Sequence, residues 1–240
     1  MSQNASGAGR VAFFGGSFDP PHLGHLAVAR AAKTALGLDR VLFAPVGAQP
    51  LKPEGPTASF EERLAMTRLA IRGEAGFCVS MADAPKPGGG PNFTLETLEG
   101  LRREMGPEGA LFCLMGADSY FGLRRWHRAA EIPFAAPLIV ASRPGERMDS
   151  LKAALPEGLT MEAAAGGDRE VSGVALREFV VRDGVGGCAP LYVLPEVDVE
   201  ISASEIRLRM EAGTGAESVA GGALLPEAVA EYVRERGLYR

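Results

Sequence analysis

At residues 15–25 the chain reads Gly15-Gly16-Ser17-Phe18-Asp19-Pro20-Pro21-His22-Leu23-Gly24-His25, and the predicted fold depends on this stretch. A continuous apolar run at 11–14 precedes it and predicts a buried strand. A helical pattern follows it over 26–38. A strand, a glycine turn and a helix in this order direct backbone N–H groups and a positive dipole end at an anion. The glycines permit close approach of a ligand, and the prolines predict a helix start near Pro21 or His22.

Two of the three histidines of the chain, His22 and His25, lie in this stretch. Their i, i+3 spacing places them on one helix face near the N-terminus. The positive end of a helix lowers a histidine pKa, and a neutral imidazole still donates an N–H bond. Gly24 between them leaves room for a phosphate. A helix-capping loop with two surface histidines is the structural alternative.

The stretch resembles the GxFxPxHxGH signature of the nucleotidyltransferase superfamily, which comprises adenylyl- and cytidylyltransferases. Residues 16–25 fill every position of that signature. The resemblance implies an α/β fold with a Rossmann-like, doubly wound parallel sheet and transfer of a nucleotidyl group from a nucleoside triphosphate. It implies catalytic roles for His22 and His25. It also implies that five neighbouring residues bind ATP, namely Gly15, Gly16, Ser17, Phe18 and Gly24.

The composition favours a cytoplasmic protein. The 240 residues, of which 46% are hydrophobic, suffice for one domain with a substantial core. The net charge of −5 argues against electrostatic binding to nucleic acid. The N-terminus lacks a signal-like apolar run and no run approaches 18 apolar residues, so we expect no membrane association. Three widely spaced cysteines, each in or beside an apolar run, predict buried free thiols in a reducing compartment. The sequence leaves open whether the protein forms a homo-oligomer.

Strands and helices alternate five times in the first 141 residues. Apolar runs predict the strands, at 11–14, 41–45, 77–81, 110–115 and 138–141. The alternation predicts a parallel sheet with helices on both faces and a ligand site at the carboxyl ends of its strands. The loops that follow the strands then meet at one edge with their polar residues, the histidine pair, Lys52, Thr94, Asp118 and Arg143.

Local signals predict the intervening helices. Ser59 and Glu62 form a capping box, which predicts a helix over 60–72. Thr94 is predicted to open the next helix. Residues 116–118 are predicted as a turn, followed by one helix that carries Leu123, Trp126 and Ala130.

The remainder of the chain is predicted to complete a single nucleotidyltransferase domain over 1–240. A helix and an irregular elaboration at about 160–188 follow the fifth strand, with a hairpin around Arg182-Asp183-Gly184. Residues 197–201 alternate like an extended segment. A helical end is predicted at about 203–236, and its last helix covers 226–236.

A second anion site is predicted at Ile201-Ser202-Ala203-Ser204-Glu205-Ile206-Arg207. Ser202 or Ser204 would cap a helix, and Arg207 one turn further on can bond two phosphate oxygens at once. The structural alternative is an ordinary capped helix with surface arginines. The stretch resembles the I-S-S-T-x-x-R motif of the same superfamily, which binds the triphosphate. It departs at Ala203, which lacks a hydroxyl, and at Ser204, which retains one.

Three further stretches resemble nicotinate-nucleotide adenylyltransferases, the bacterial enzymes of NAD synthesis. They are a proline-rich loop ending at Lys52, the segment Asn92-Phe93-Thr94-Leu95-Glu96-Thr97-Leu98, and Leu114-Met115-Gly116-Ala117-Asp118-Ser119 followed by Trp126. The second of these stretches departs from the family pattern at two positions, with Phe93 in place of tyrosine and Asn92 in place of serine. The resemblance extends over residues 11–210 and finds no counterpart for 160–188.

The resemblance to that family implies the acceptor site and the reaction. Thr94 would hold the nicotinate carboxylate, Trp126 would stack on the pyridine ring, Asp118 would lie near the ribose or the phosphates, and Lys52 would complete the site. The reaction is adenylyl transfer from ATP to nicotinate mononucleotide, in NAD biosynthesis. Mg²⁺ is expected to be held mainly by the ATP phosphates, without a dedicated set of protein ligands.

Three alternatives stay open at this point. The acceptor could be another phosphorylated compound, such as nicotinamide mononucleotide or phosphopantetheine. A metal hydrolase would use Asp19, His22 and His25 as ligands. A dinucleotide-binding module would rest on G-x-G-x-x-A strings at 7–12 and 184–189, which lack the required order of strand and helix.

Overall fold

A computed structural model describes residues 9–51, 54–142, 148–195, 197, 202–212 and 224–240. The strands are β1 (Arg10–Gly16), β2 (Arg40–Pro45), β3 (Phe77–Val79), β4 (Ala110–Gly116), β5 (Leu138–Ala141), β6 (Thr160–Val171), β7 (Val174–Arg182) and β8 (Cys188–Leu194). The helices are α1 (Leu23–Leu36), α2 (Phe60–Ala70), α3 (Thr94–Met105), α4 (Ala117–Phe121), α5 (Ile132–Ala135), α6 (Met148–Ala153), α7 (Ala203–Glu211) and α8 (Glu227–Arg236).

The strands form one sheet in the order β3-β2-β1-β4-β5-β8-β7-β6. Strands β1 to β5 pair in parallel, and β8 continues the parallel part by pairing with β5. The order runs outward from β1 to β2 and β3 on one side, and from β4 to β5 on the other. The predicted doubly wound α/β fold is therefore confirmed, and its switch point lies between β1 and β4. Ligands of such sheets bind beyond the carboxyl ends of the strands at this point.

The central strands are apolar because both faces of the sheet are covered. Val11 and Phe13 of β1 pack on one face in a cluster with side chains of α3, α5 and α6. Ala12 and Phe14 point to the other face and pack with side chains of α1. A third cluster joins α2, α7 and α8 beside the sheet. The continuous apolar run in β1 thus follows from two-sided burial with a period of two.

The signals at the starts of two helices predict the structure correctly. The capping box at α2 is present, because the Glu62 N–H donates to Ser59 Oγ at 3.2 Å and the Ser59 N–H donates to Glu62 Oε2 at 2.8 Å. Helix α2 ends at Ala70, two residues before the predicted end. Helix α3 begins at Thr94, as predicted.

The prediction for residues 116–130 is wrong in two respects. The predicted turn at 116–118 is the start of α4, whose N-cap is Gly116. The predicted continuous helix is broken into a 3-10 turn at Leu123–Arg125, an extended Trp126, and a second 3-10 turn after Arg128, whose φ is +51°. Leu123 is fully buried, whereas Trp126 is partly buried and lines a cleft. Two side chains with such different environments do not share one helical face.

The prediction of an irregular elaboration at 160–188 is also wrong, because the segment forms antiparallel strands. Strand β6 pairs with β7, and β7 pairs with β8. The predicted hairpin around Asp183 is confirmed, with its carboxylate accepting the N–H groups of Val185 and Gly187. Cross-strand ion pairs line the outer hairpin, such as Arg182–Glu162 at 2.7 Å. Because β6 carries charged residues and is mostly exposed, it lacks the alternation that reveals a strand.

Several predicted features lie outside the described residues, namely the N-terminal tail, Lys52, Arg143 and most of the extended segment at 197–201. Within the described ranges, the structure contains no helix that is both long enough and apolar enough to cross a membrane.

Candidate active site

A cleft of about 600 Å³ opens at the carboxyl edge of the sheet, beside the switch point. Its lining contains every predicted site residue that the structure describes: Gly15, Gly16, Ser17, Phe18, His22, Gly24, His25, Thr94, Asp118, Trp126, Ser202, Ser204 and Arg207. Lys52 is the predicted site residue outside the described ranges. Segments from four distant parts of the chain therefore meet in one cavity, as the predicted topology requires.

The two histidines face each other at the start of α1. His22 is the N-cap and His25 is the third residue of the helix. Their ring centroids are 3.8 Å apart, with planes inclined by 35°. The backbone N–H of His22 donates to Nδ1 of His25 at 3.1 Å. Because that nitrogen accepts a hydrogen bond, the neutral His25 ring carries its proton on Nε2 and presents this N–H as a donor.

Burial keeps both imidazoles neutral at pH 7. It lowers the pKa of His22 to about 4. The pKa of His25 is also well below its ordinary value, through burial first and repulsion from His22 second. The ring of Phe18 packs against His25 with centroids 4.9 Å apart. The predicted direction of the pKa changes is confirmed, but loss of solvent rather than the helix dipole is their main cause.

The backbone at the start of α1 is less available to an anion than predicted. The Leu23 N–H donates to the Leu224 carbonyl at 3.0 Å, and the His25 N–H donates to the His22 carbonyl at 2.9 Å. In the described structure Nδ1 of His22 is the buried side-chain nitrogen that has no hydrogen-bond partner. The Leu23 and His25 N–H groups are therefore engaged within the protein. The imidazole N–H groups are further donors that this loop presents to the cleft.

Gly15 is required by packing as well as by access to the backbone. A Cβ atom at this position would lie 2.7 Å from Cζ of Phe13, well inside van der Waals contact. A side chain here would require the Phe13 ring, which packs in the first core cluster, to shift. The glycine therefore lets the chain leave β1 and enter the cleft without disturbing the core.

The second predicted anion motif reaches the first. Ser202 caps α7, with its hydroxyl accepting the Glu205 N–H at 3.1 Å. Arg207 donates from Nη1 to the backbone carbonyl of Asp19 at 2.6 Å and from Nη2 to Ser204 Oγ at 3.3 Å. The guanidinium of the second motif therefore reaches the loop that carries the histidines, although 188 residues separate Arg207 from Asp19.

The buried carboxylate of Asp19 accepts hydrogen bonds from distant parts of the chain, and the sequence gives no sign of this role. Its side chain accepts the N–H groups of Thr57 at 2.7 Å and Ala58 at 3.1 Å, and the hydroxyl of Tyr239 at 2.6 Å. Nη1 of Arg207 lies 3.8 Å from its Oδ2 atom. The Asp19 carboxylate is thus directed at these donors. In the part of the chain that the structure describes, no group of three or more His, Cys, Asp or Glu side chains could hold a metal ion. Asp19, His22 and His25 therefore do not form the metal site that the hydrolase alternative requires.

Arg63 is a second missed residue, and it ties together the loops beside the cleft. It is 1% exposed and donates to the carbonyls of Ser17 at 2.8 Å, Val46 at 2.9 Å and Ala58 at 3.3 Å. Five N–H donors in a rigid planar group allow one side chain to satisfy three carbonyls. An arginine in the helix α2 pattern gives no local sign of this role.

Another part of the cleft lining is built on α3, α4 and the loop after β3. Thr94 is the first residue of α3, Asp118 lies in the first turn of α4, and Trp126 lines the same cleft. The side chain of Asn92 fixes the loop, because its Oδ1 accepts the Ala48 N–H at 3.0 Å and its Nδ2 donates to the Ala84 carbonyl at 2.9 Å. The segment that carries Thr94 is thereby held against the loop after β2.

Asp83 and Thr97 form a buried pair at the base of this region. Thr97 Oγ1 donates to Asp83 Oδ1 at 2.8 Å, and burial raises the pKa of the Asp83 carboxyl. Asp83 also lines the cleft. The sequence pattern predicts Thr97 as an interior helix residue and does not mark Asp83.

Comparison with known proteins extends this description. Residues 13–209 match a family model described as cytidylyltransferase-like. A protein of Gloeobacter violaceus named "probable nicotinate-nucleotide adenylyltransferase" is 36% identical over 230 residues, which are 96% of each chain. A protein of Sodalis glossinidius with the same name is 35% identical over 236 residues, 96% of this chain and 97% of that one.

A solved structure shares the fold at much lower identity. The Plasmodium falciparum nicotinic acid mononucleotide adenylyltransferase complexed with NaAD superposes with a TM-score of 0.68 and 13% identity, covering 96% of this chain and 97% of that one. The likeness in structure at this identity supports the architecture described above.

Proposed function

Because the chain belongs to the cytidylyltransferase-like family and, within it, to the nicotinate-nucleotide adenylyltransferases, we infer that it transfers the adenylyl group of ATP to nicotinate mononucleotide. The products are nicotinate adenine dinucleotide and pyrophosphate, and the reaction belongs to NAD biosynthesis. The chain is thus an enzyme, a nucleotidyltransferase.

One observation carries the assignment of the site. Arg207 of the second anion motif is hydrogen-bonded to the loop of the first motif, and both motifs line the cleft that Thr94, Asp118 and Trp126 also line. A cleft whose lining combines anion donors with an aromatic ring and polar groups suits the binding of two nucleotides.

The donors of the cleft support a mechanism by positioning and charge stabilisation. A phosphate oxygen of nicotinate mononucleotide attacks the α-phosphorus of ATP in line, the new P–O bond forms, and the bond to the pyrophosphate oxygen breaks. We propose that the N–H groups of His22 and His25 donate to α- and β-phosphate oxygens, where negative charge develops. The attacking phosphate is already ionised, so the neutral imidazoles act as donors and no general base is needed.

Arg207 is proposed to hold the outer phosphates of ATP. Its guanidinium is partly exposed to the cleft and can form paired hydrogen bonds with phosphate oxygens. The N-terminal turn of α7, with Ser204, adds donors next to it. We propose nucleotide-contacting roles for Gly15, Gly16, Ser17, Phe18, Gly24 and Ser202 in the same end of the cleft.

Mg²⁺ is proposed to accompany ATP. Within the described ranges the protein offers no ready-made cluster of metal ligands. Asp118 is the carboxylate of the predicted set that lines the cleft, and a cation bound mainly by phosphate oxygens and water fits such a limited donor set. When bound, the ion neutralises charge on the departing pyrophosphate.

The acceptor is proposed to bind against α3 and α4. Its quaternary pyridinium ring would stack on Trp126, which is a favourable cation–π arrangement. The N-terminus of α3 at Thr94 would face the nicotinate carboxylate. We propose a cytoplasmic location as well, since no disulfide joins Cys78, Cys113 or Cys188 in the described structure, as is typical of a reducing compartment. The prediction that these cysteines are buried is wrong for Cys188, which is exposed.

The test is a pyrophosphate-release assay with ATP and one of three acceptors: nicotinate mononucleotide, nicotinamide mononucleotide or phosphopantetheine. We expect the highest kcat/KM with nicotinate mononucleotide, and loss of activity when EDTA removes Mg²⁺. A His25→Ala variant is the matched control for contaminating activity. Turnover with phosphopantetheine but with neither pyridine nucleotide, or no pyrophosphate release with any acceptor, would overturn the assignment.

A further inference from the structure

The end of the chain touches the histidine loop at two places. The carbonyl of Leu224 accepts the N–H of Leu23, the first residue of α1, at 3.0 Å. The hydroxyl of Tyr239 donates to Oδ1 of Asp19 at 2.6 Å. These contacts flank the loop that carries His22, and both come from the segment 224–240, which we call the C-terminal segment. The mechanism above uses neither of them.

Tyr239 belongs to the same packed cluster as the helix that carries Arg207. It is 5% exposed and shares the third core cluster with Ile206 and Met210 of α7 and with Val233 of α8. Its φ angle is +60°, in the left-handed region that side chains other than glycine rarely adopt. Such a conformation persists where surrounding contacts over-determine it. The backbone therefore holds the Tyr239 ring in the position from which its hydroxyl reaches Asp19.

The two oxygens of Asp19 have different partners. Oδ1 accepts from Tyr239 and from the Ala58 N–H, while Oδ2 accepts from the Thr57 N–H and faces Nη1 of Arg207 at 3.8 Å. At that separation Arg207 is near the carboxylate but is not hydrogen-bonded to it. Its hydrogen bond in this region goes to the Asp19 backbone carbonyl instead.

Loss of the Tyr239 hydroxyl would change this balance. A buried carboxylate that loses a donor is left with unmet charge, and the cost of leaving a buried acceptor unpaired is large. Among the described residues, the cation in ion-pair range of this carboxylate is the Arg207 guanidinium, at 3.8 Å. Arg63 also attracts the carboxylate, but its guanidinium is held by three backbone carbonyls. Arg207 would therefore move onto the carboxylate and form an internal ion pair. Arg207 would then be less available for phosphate oxygens, with the histidines unchanged.

We propose that Tyr239 is a positioning residue: by hydrogen-bonding Asp19, it keeps the Arg207 guanidinium directed into the cleft for the triphosphate of ATP. The proposal rests on the proposed function, because it assigns ATP to the Arg207 end of the cleft. It concerns ATP and not the acceptor, whose site lies on α3 and α4.

The first experiment compares wild type with Tyr239→Phe, which removes the hydroxyl and keeps the ring in the core. We expect KM for ATP, and the Kd of ATP measured by calorimetry without acceptor, to rise about tenfold, which corresponds to about 1.4 kcal/mol. KM for nicotinate mononucleotide should stay within about twofold, a change under about 0.5 kcal/mol. Equal ATP affinity in the two proteins would overturn the proposal.

The matched control is Tyr120→Phe. Its hydroxyl is also buried and donates to the Leu151 carbonyl at 3.1 Å, away from Asp19. Each variant loses one buried tyrosine hydrogen bond, and because the bond to the Asp19 carboxylate is charge-assisted, Tyr239→Phe should lose at least as much thermal stability as Tyr120→Phe. The ATP affinity should change in Tyr239→Phe alone. An equal change in both variants would mean a general effect on stability and would overturn the proposal.

A double-mutant cycle tests whether Tyr239 acts through Arg207. In an Arg207→Gln background, Tyr239→Phe should leave the Kd of ATP unchanged, whereas additive effects would contradict the proposal. If Tyr239→Phe does not fold, Tyr239→His, which retains a ring N–H donor, takes its place and should bind ATP more tightly than Tyr239→Leu. Wild type that fails to bind ATP would refute the proposed function, an outcome distinct from wild-type affinity in Tyr239→Phe.

Discussion

Acidification from pH 7 to pH 5 should destabilise the nucleotide-free protein by about 2 kcal/mol through His22 alone. The folded-state pKa of His22 is about 4, below the ordinary value of 6.5 expected in the unfolded chain. Between these values the unfolded state binds more protons, so the free energy of unfolding falls as the pH falls. The full difference is about 3 kcal/mol, at 1.36 kcal/mol for each pH unit, and is reached below pH 4.

Most of this decrease in the free energy of unfolding occurs above pH 5, because at pH 5 His22 is almost fully protonated in the unfolded chain and mostly neutral in the folded one. Solvent screening does not weaken this effect on stability, since His22 is 5% exposed. The pKa of His25 is lowered as well, so its contribution has the same sign. The value for His22 is therefore a lower limit for the pair.

The measurement is urea unfolding of wild type and His22→Asn at both pH values and one ionic strength. The difference between pH 7 and pH 5 should be smaller by about 2 kcal/mol in the variant. Because wild type and variant are compared over the same pH change, the contributions of carboxyl groups to the free energy of unfolding cancel. Asp83 is such a group, and its raised pKa makes its contribution opposite in sign to that of His22. His127→Asn keeps the buried pair and is the matched control. If His22→Asn and wild type lose the same stability on acidification, the argument from burial is wrong.

Three further predictions concern single side chains. His25→Ala removes the preorganised Nε2 donor and should lower kcat by at least about a hundredfold in the pyrophosphate assay; a near-normal kcat would contradict its role. Arg63→Lys leaves backbone carbonyls without donors and should lower the free energy of unfolding by about 1–3 kcal/mol in urea titrations, whereas an unchanged midpoint would mean that the carbonyls find other partners. Trp126→Ala should raise KM for nicotinate mononucleotide by about tenfold while KM for ATP stays constant, in line with a cation–π contact of about 1–2 kcal/mol; a rise in the KM for ATP alone would place the ring elsewhere.

The parallel part of the fold is predictable because burial on both faces leaves a strong local signal. Strands β1, β2, β4 and β5 are continuous apolar runs, and the segments between them carry capping or helical patterns. Topological rules then place the following loops at one edge of the sheet without knowledge of the strand order. The histidine pair, Thr94 and Asp118 could therefore be predicted to share a cleft.

The segment 160–182 lacks such a signal for a physical reason. Strand β6 is an edge strand, it is solvated along most of its length, and several ion pairs connect its side chains to those of β7. Polar residues on both faces remove the period of two, and charged side chains are one way in which edge strands avoid pairing with other chains. The same property that suits β6 to the edge hides it from the sequence pattern.

The residues around Trp126 escaped prediction through a different cause. Leu123, Trp126 and Ala130 have helical spacing, but the chain uses an extended Trp126 and a left-handed Arg128 to bring the indole to the cleft wall. Local propensity is a weak prior when a tertiary contact decides the backbone conformation. The spacing was compatible with a helix, and packing favoured another arrangement.

The contrast between His25 and Asp19 explains which site residues a sequence can reveal. A group that binds phosphate needs a particular chemistry at a particular place relative to a strand and a helix, and this demand produces a compact motif. A buried carboxylate needs only donors, and any N–H or O–H that reaches it will serve. The donors of Asp19 lie 38, 39 and 220 residues away along the chain. Their identity is set by how α2 and the C-terminal segment pack, so no local pattern encodes it. Residues proposed to contact substrate are therefore predictable here, whereas the residue proposed to position them becomes visible once the tertiary contacts are known.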